Sequence, residues 1–374
     1  MLQHISIKNY KNIEKDISFE SPITLIVAEN GQGKTNILEA IYYVTNGFDF
    51  QKTSDFDSIN FSSSDKIFQI SARYSLSSKN NSATVKELTF QKKTNTSKKF
   101  KVDDKSKSQV EFGRYSKAIV FAPESIDLVS GSAEIRRLEI DHFCSLYFEK
   151  YSRLLIEFRQ TLKSRNKQMM LLQKRYGMDI ENAAKDQVYK FWTSRFIDLS
   201  DEIVKFRLEI LQLLNDKCKN ISHIYHFDEN KFDLIYEFKS LEVIDDYKTS
   251  LHQKIEESLL KELMRGTSLY GPHRDDVSVK LNNKLLREYG SRGQQRIASF
   301  MIKHAETEIL ETSNLDNASD NILLLDDLPS ELDSRHLQNI ENLLLEMKLQ
   351  IIMTSTSTEH FSKNFLEKVK IIEI

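Results

Sequence analysis

Residues 23–46 combine a short apolar run, a glycine-containing loop and an amphipathic helix pattern, and this combination constrains the fold most. Ile23–Val27 has the β-rich apolar composition of a strand buried in a parallel sheet. Residues 28–35 read AENGQGKT, and the apolar residues after them recur at helical spacing: Ile37, Leu38, Ile41 and Val44. A strand, a glycine loop ending in Lys-Thr and a helix, in that order, are the context of a phosphate-binding loop. The chain is therefore predicted to contain an α/β domain.

The loop residues are candidates for binding the phosphates of ATP. Backbone N–H groups and the positive end of the following helix would surround the phosphates, Lys34 would reach the β and γ oxygens during catalysis, and Thr35 would ligate Mg²⁺. The predicted cofactor-binding residues are Asn30, Gly31, Gln32, Gly33, Lys34, Thr35 and Asn36. Ala28 stands where the usual pattern has its first glycine, which is acceptable if its φ stays negative.

A second apolar run, residues 322–325, ends in the carboxylates Asp326 and Asp327. We expect Asp326 to join Thr35 in holding Mg²⁺, and Asp327 to orient or deprotonate an attacking water as the catalytic carboxylate. On its own this pattern is weak, because strands often end in aspartate. In order after a phosphate-binding loop, it predicts a nucleotide hydrolysis site.

Residues 289–296, YGSRGQQR, precede another helical pattern and resemble the signature loop of ABC-type ATPases. Ser291, Gly293 and Gln294 would bind a nucleotide at the N-terminus of that helix. In the arrangement known for such ATPases, this loop contacts the nucleotide of a second protomer. The sequence therefore predicts a head-to-tail homodimer that forms with ATP.

Composition and patterning divide the chain into three segments. The chain has 374 residues with 10 Gly and 4 Pro, and a formal net charge of −2. We predict an N-terminal lobe over 1–128, a helical arm insertion over 129–262 and a C-terminal lobe over 263–374. Within the arm, residues 134–176 and 183–219 predict two long helices around Gly177. The two cysteines have no CxxC spacing, and no apolar stretch is long enough to span a membrane, so we expect a cytoplasmic protein without membrane contact.

Four motifs together resemble the RecF family of bacterial recombination mediators, whose ATPase head is similar to that of SMC proteins. These are residues 31–36 (GQGKTN), 270–276 (YGPHRDD), 291–296 (SRGQQR) and 323–333 (LLLDDLPSELD), and residues 9–12, 121–124, 129–132 and 136–137 also fit the family. The resemblance implies a P-loop NTPase head of ABC/SMC type with mixed sheets, interrupted by an α-helical arm. It also implies a D-loop at 330–333 and a switch region at 354–356.

By the same resemblance, the function is ATP-dependent binding of duplex DNA near single-strand/duplex junctions, in recombinational repair and replication. ATP would close the dimer, slow hydrolysis would reopen it, and RecR and RecO would be partners in loading recombinase at gaps. Two rivals are the ATPase subunit of a defence or nuclease system with an SMC-like head, and the motor of an ABC transporter. The first would need an appended acidic metal-binding domain, for which the residues after the switch leave no room. The strand feeding the P-loop, the GPHRDD segment and the helical arm disfavour the second.

Two lysine- and arginine-rich segments are candidates for DNA contact. Residues 159–175 contain no Asp or Glu but include Arg159, Lys163, Arg165, Lys167, Lys174 and Arg175. This segregation fits either a phosphate contact or a solvated helix face. The second candidate is the predicted loop 92–107, with Lys98, Lys99 and Lys101, for which the alternative interpretation is a solvated hairpin. The residues His273, Arg274, Asp275 and Asp276 could form a metal or acid–base cluster, but a loop ion-pair network explains them at least as well, and we expect no catalytic role.

Overall fold

The computed structural model describes residues 1–49, 58–60, 67–75, 83–91, 97–177, 179–225, 227, 231–239, 241, 246–313, 320–331 and 334–374. The chain divides into two compact units. The first contains residues 1–126, 220–228 and 291–374, and the second contains 127–219 and 229–290. The expected α/β head interrupted by a helical insertion is therefore present.

A five-stranded parallel sheet forms the centre of the first unit, with the order β14-β3-β13-β12-β8. Its strands are β3 (Ile23–Val27), β8 (Ala118–Phe121), β12 (Ile322–Leu325), β13 (Gln350–Ser355) and β14 (Lys370–Glu373). All residues of β8, β12 and β13 are buried. This continuous burial explains why these strands read as apolar runs without alternation.

An antiparallel sheet with the order β2-β1-β4-β5-β6-β7 lies in the same unit. Its strands are β1 (Leu2–Tyr10), β2 (Ile13–Ser18), β4 (Ile67–Ser75), β5 (Ala83–Gln91), β6 (Ser97–Val102) and β7 (Lys105–Lys107). Helix α1 (Lys34–Asn46) shares one hydrophobic core with both sheets. Burying α1 between two sheets explains why nearly all of its side chains are apolar or enclosed.

The loop predicted over 92–107 is a hairpin in the part that the structure describes, as the alternative interpretation of this segment has it. Residues 97–107 form the β6–β7 hairpin, in which Phe100 and Val102 are buried while Lys99 is exposed and Lys101 is half-buried. This two-residue alternation is the signature of a strand with one buried face. Residues 92–96 lie outside the described part of the chain.

The remaining helices of the first unit support the sheets. They are α2 (Gln109–Phe112), α10 (Arg292–Ser313), α11 (Leu328–Glu331), α12 (Ser334–Glu346) and α13 (Lys363–Leu366). Two 3₁₀ turns, Pro123–Ile126 and Ser222–Tyr225, pack against α10.

The second unit is mainly helical. It contains α3 (Asp127–Ser130), α4 (Ala133–Tyr147), α5 (Tyr151–Tyr176), α6 (Ile180–Lys185), α8 (Tyr247–Arg265), α9 (Leu286–Tyr289) and most of α7 (Gln187–Ile221). A small sheet, β11-β10-β9, joins β9 (Phe232–Glu237), β10 (Asp276–Leu281) and β11 (Lys284–Leu285). The sequence placed residues 263–290 in the C-terminal lobe. They belong instead to the second unit, because β10 pairs with β9.

The two long arm helices run antiparallel, as expected. Glu157 pairs with Arg195 near one end, whereas Gln168 donates to Asp186 near the other. The first predicted helix is interrupted, however, because Phe148 leaves helical conformation between α4 and α5 and packs its ring against Phe206, with 4.7 Å between centroids. Gly177 ends α5, as predicted.

Candidate functional site

The carboxyl ends of four parallel strands meet at one edge of the five-stranded sheet. The P-loop follows β3, Pro123 follows β8, Asp326 follows β12, and Thr354 lies near the end of β13. In open α/β sheets this edge is where ligands bind. Segments far apart in sequence are brought together here by the strand order.

The P-loop backbone has the conformation that its glycines require. Gly31 and Gly33 adopt φ values of +84° and +88°, which side chains with a Cβ rarely tolerate. A Cβ on Gly33 would also lie 2.4 Å from the Cγ2 methyl group of Ile13, the first residue of β2. By contrast, Ala28 keeps a negative φ and donates its N–H to the Ser355 carbonyl, as expected for the departure at this position.

Lys34 is buried within the loop that it follows. Its Nζ donates to the carbonyl oxygens of Ala28 at 2.5 Å and Glu29 at 3.1 Å. The ammonium group is thus held beside the N-terminus of α1, where an anion would also be attracted by the helix dipole.

A chain of hydrogen bonds joins the P-loop to the carboxylate after β12. Thr35 Oγ1 donates to Asp326 Oδ2 at 2.7 Å, and Thr354 Oγ1 donates to Asp326 Oδ1 at 2.6 Å. The N–H of Asp327 in turn donates to Thr354 Oγ1 at 3.0 Å. Asp327 has a φ of +47°, so its backbone turns away from the strand direction immediately after Asp326. The two metal ligands predicted from the sequence are therefore adjacent.

A cavity of about 300 Å³ lies over this group. Most of its lining was predicted: Asn30, Gly31, Gly33, Lys34, Thr35, Asn36, Asp326 and Asp327. Gln32 does not line it. Asn12 and Pro123 line it as well and were not among the predicted site residues.

Asn12 reaches the cavity from the antiparallel sheet. Its side chain accepts a hydrogen bond from Asn36 Nδ2 at 2.5 Å and donates to the Gly31 carbonyl at 3.5 Å. Beside it, Lys11 forms an ion pair with Glu39, which is fully buried in α1. Burial raises the pKa of Glu39 to about 7, against the opposing effect of Lys11. The segment 9–12 was a sequence signal for the family, but its position over the P-loop follows only from the structure.

The signature-loop residues do not line this cavity. Ser291 Oγ accepts from the Gln294 N–H at 3.2 Å, while Gln294 Oε1 accepts from the Ser291 N–H at 2.9 Å. This reciprocal pair is a capping box, and it leaves Ser291, Gly293 and Gln294 exposed at the start of α10. Within one chain, therefore, the two predicted halves of the nucleotide site remain separate.

The GPHRDD segment lies in the second unit and forms the expected ion-pair network. Asp276 accepts two hydrogen bonds from Arg136, which lowers its pKa despite partial burial. Asp275 accepts from Tyr236 at 2.8 Å, and burial raises the pKa of Asp275 to about 6. Burial also lowers the pKa of His273 to about 4. These contacts hold the β10 end to α4 and β9, which is a structural role.

Three further observations bear on the predicted sites. Ser330 is described and donates to the Asp327 carbonyl at 2.8 Å, but Leu332 and Asp333 of the predicted D-loop lie outside the described residues. Within the described ranges, no group of three or more His, Cys, Asp or Glu side chains could hold a metal ion. No helix in the part of the chain that the structure describes combines the length and hydrophobicity needed to cross a lipid bilayer.

Residues 1–373 match a family model described as the RecF/RecN/SMC N terminal domain. Two relatives, from Bacillus cereus (strain AH820) and Bacillus thuringiensis (strain Al Hakam), are each described as "DNA replication and repair protein RecF". Each is 30% identical over 380 residues, which cover 100% of this chain and 96% of the relative.

Solved structures give the same likeness. The structure described as "Structure of the recombination mediator protein RecF-ATP in RecFOR pathway" has a TM-score of 0.83 and 25% identity, covering 96% of this chain and 93% of that one. An Smc head bound to the C-terminal winged-helix domain of ScpA has a TM-score of 0.54 and 14% identity, covering 100% and 93%, and shows a likeness of fold alone. The fold class and the family resemblance expected from the motifs are confirmed.

Proposed function

We propose that this chain, which belongs to the RecF/RecN/SMC family and within it to the RecF proteins, is an ATP-dependent DNA-binding protein of recombinational repair and replication. The observation that carries the proposal is the cavity at the carboxyl edge of the parallel sheet, where Lys34, Thr35, Asp326 and Asp327 converge. This cavity provides hydrogen-bond donors for the phosphates of a nucleotide and carboxylates for its hydrolysis. The binding of ATP by the similar solved protein supports the choice of nucleotide.

The donor set fits Mg²⁺ bound together with a nucleotide. Mg²⁺ is usually held in nucleotide sites by one or two protein oxygens together with phosphate oxygens and waters. Thr35 Oγ1 and Asp326 Oδ2, 2.7 Å apart, supply a hydroxyl and a carboxylate oxygen at one point of the cavity. When bound there, the ion would neutralise charge on the β and γ phosphates.

Each remaining group has a distinct role in hydrolysis. Lys34 provides positive charge next to the phosphates, and Thr354 holds the Asp326 carboxylate in position from the neighbouring strand. Asp327, at the cavity wall, orients or deprotonates the attacking water. We infer that hydrolysis is weak, is stimulated by DNA, and works as a switch rather than as a supply of energy.

We further propose that the complete site forms between two protomers. The exposed Ser291, Gly293 and Gln294 surround the N-terminus of a 22-residue helix, α10, but are not part of the cavity of their own chain. A head-to-tail homodimer would bring each signature loop to the other protomer's nucleotide. The bound DNA would be duplex, near single-strand junctions, and RecR and RecO would be partners in the cytoplasm.

Two variants test the assignment of the cavity. Lys34→Ala should abolish both ATP-dependent dimerisation and hydrolysis, because it removes the charge beside the phosphates. Asp327→Asn should keep ATP binding and give a long-lived dimer with slow turnover, because it loses only the carboxylate that acts on water. Analytical ultracentrifugation with ADP and with ATP measures dimerisation, and phosphate release measures hydrolysis. Hydrolysis by Asp327→Asn at the wild-type rate would exclude Asp327 as the catalytic carboxylate.

Mixing two inactive variants tests the shared site. Ser291→Arg should leave ATP binding to the monomer intact but prevent the closed dimer. A heterodimer of Ser291→Arg with Lys34→Ala has one site that combines Lys34 of the first protomer with Ser291 of the second. Mixing should therefore restore part of the activity. If heterodimers form and no activity returns, the site is not shared between protomers.

A further inference from the structure

One face of α5 carries a row of exposed cations. Arg159, Lys163, Lys167 and Lys174 are all exposed, and their spacing of four, four and seven residues places them on one side of the helix. At 1.5 Å per residue the row is about 22 Å long. Arg175 is also exposed near the end of the helix, but it lies about 100° around the helix axis from Lys174.

The structure separates these cations from Arg165, which the sequence grouped with them. Arg165 is completely buried and donates to Glu262, Ser268, Thr193 and Tyr189. The prediction that Arg165 contacts DNA was therefore wrong. Its guanidinium group instead holds α5 against α7 and α8.

The exposed row differs from several other exposed cations of the same unit, which form ion pairs with acidic side chains. Arg195, Lys185, Lys205 and Lys248 each form an ion pair with an Asp or Glu side chain. Among the described residues, no ion pair involves Arg159, Lys163 or Lys167. Residues 159–175 themselves contain no Asp or Glu. The positive charge of this face is thus not neutralised within the unit.

We propose that this α5 face binds the sugar–phosphate backbone of DNA. A straight row of uncompensated cations, one per helical turn over most of its length, is complementary to a polymer that repeats its negative charge along a line. An acidic protein would not need such a long regular row. The inference rests on the proposed DNA-binding function, and it adds the surface by which the second unit takes part.

The test compares two triple variants of the full-length protein in the presence of ATP. The first, Arg159→Gln/Lys163→Gln/Lys167→Gln, removes three cations of the row. The control, Lys185→Gln/Arg195→Gln/Lys205→Gln, removes the same charge from exposed cations that already have acidic partners. Fluorescence anisotropy with a labelled duplex carrying a single-stranded end gives the affinity at several salt concentrations. Unchanged thermal unfolding and unchanged affinity for ATP would show that both variants are folded.

For the row variant, we expect the slope of log affinity against log salt to become less negative by about 3. The ratio of the wild-type affinity for DNA to that of this variant should then fall by about 40-fold between 50 and 200 mM salt. The control should keep the wild-type slope.

Other outcomes overturn the inference in distinguishable ways. A row variant that binds DNA like the wild type would refute the α5 surface and leave the proposed function standing. A loss confined to Lys98→Gln/Lys99→Gln/Lys101→Gln would place the contact on β6 instead. A wild-type protein that does not bind DNA in ATP would refute the proposed function itself.

Discussion

Acidification should destabilise the second unit through His273. Nε2 of this side chain is 3.3 Å from the Ser268 carbonyl, while Nδ1 is buried and has no hydrogen-bond partner among the residues that the structure describes. The ring packs against Phe158 and Phe196. Protonation would place a new N–H at Nδ1 without an acceptor, in an apolar setting.

Burial, and to a lesser degree nearby arginines, lower the pKa of His273 from 6.5 to about 4. The folded state binds the His273 proton less tightly than the unfolded state does. The contribution of His273 to the free energy of unfolding is therefore complete above pH 6.5. It is lost as the pH falls toward 4. Between pH 7 and pH 5 these two pKa values correspond to a loss of about 2 kcal/mol in the free energy of unfolding.

Asp275 acts in the opposite direction over the same range. Its pKa is raised from 3.8 to about 6, so its contribution to stability increases as the pH falls. The wild-type curve alone would therefore underestimate the effect of His273. The free-energy difference between the wild type and His273→Gln removes this and every other shared titration, because only His273 differs between the two proteins.

Urea unfolding followed by the fluorescence of Trp192, the single tryptophan, reports on the second unit. The stability of the wild type relative to His273→Gln should be lower at pH 5 than at pH 7 by about 2 kcal/mol. A difference that is the same at both pH values would refute the lowered pKa. A histidine NMR titration of the wild type should independently give a midpoint for His273 well below the ordinary histidine value of 6.5.

Two further predictions follow from buried contacts. Arg165→Met should lower the free energy of unfolding of the second unit by about 3–5 kcal/mol, because it leaves the fully buried Glu262 without its ion-pair partner. In the same urea assay, the double variant Arg165→Met/Glu262→Leu should recover most of this loss. Gly33→Ala should abolish binding of a fluorescent ATP analogue, because the new Cβ would clash with Ile13. Gly31 has a similar positive φ, but a Cβ there would point into open space. The Gly31→Ala variant should therefore bind the analogue more tightly than Gly33→Ala. Equal affinities for the two alanine variants would show that the contact with Ile13 is unimportant.

The sequence predicted most of the candidate site because the P-loop and the Asp326–Asp327 pair are local patterns. A strand followed by a loop can be recognised within a dozen residues, and the parallel sheet then brings the strand ends to one edge. Asn12 could not be placed this way. It belongs to a turn of the other sheet, and only the packing of α1 against both sheets brings that turn to Gly31 and Asn36.

The errors have a common physical cause, which is that charge patterns do not reveal burial. Arg165 lies in a segment without acidic residues, yet its partner Glu262 comes from a helix almost a hundred residues later. The alternation around Phe100 was obscured by the surrounding lysines, so that a strand resembled a solvated loop. The misplaced residues 263–290 include the strand β10. Its partner, β9, lies in the insertion, and the pairing of strands so far apart in sequence is set by tertiary packing.

The position of Asn12 also bears on how nucleotide binding and folding are connected in the first unit. The cavity walls come from the ends of parallel strands and from the β1–β2 turn of the antiparallel sheet, and α1 packs against both sheets. The ion pair Lys11–Glu39 holds that turn to α1, at the cost of burying a carboxylate whose pKa is raised to about 7. Neither sheet alone can therefore form the complete cavity. A nucleotide that binds only the complete cavity must stabilise both sheets together, because its binding free energy is available only when they are packed on α1.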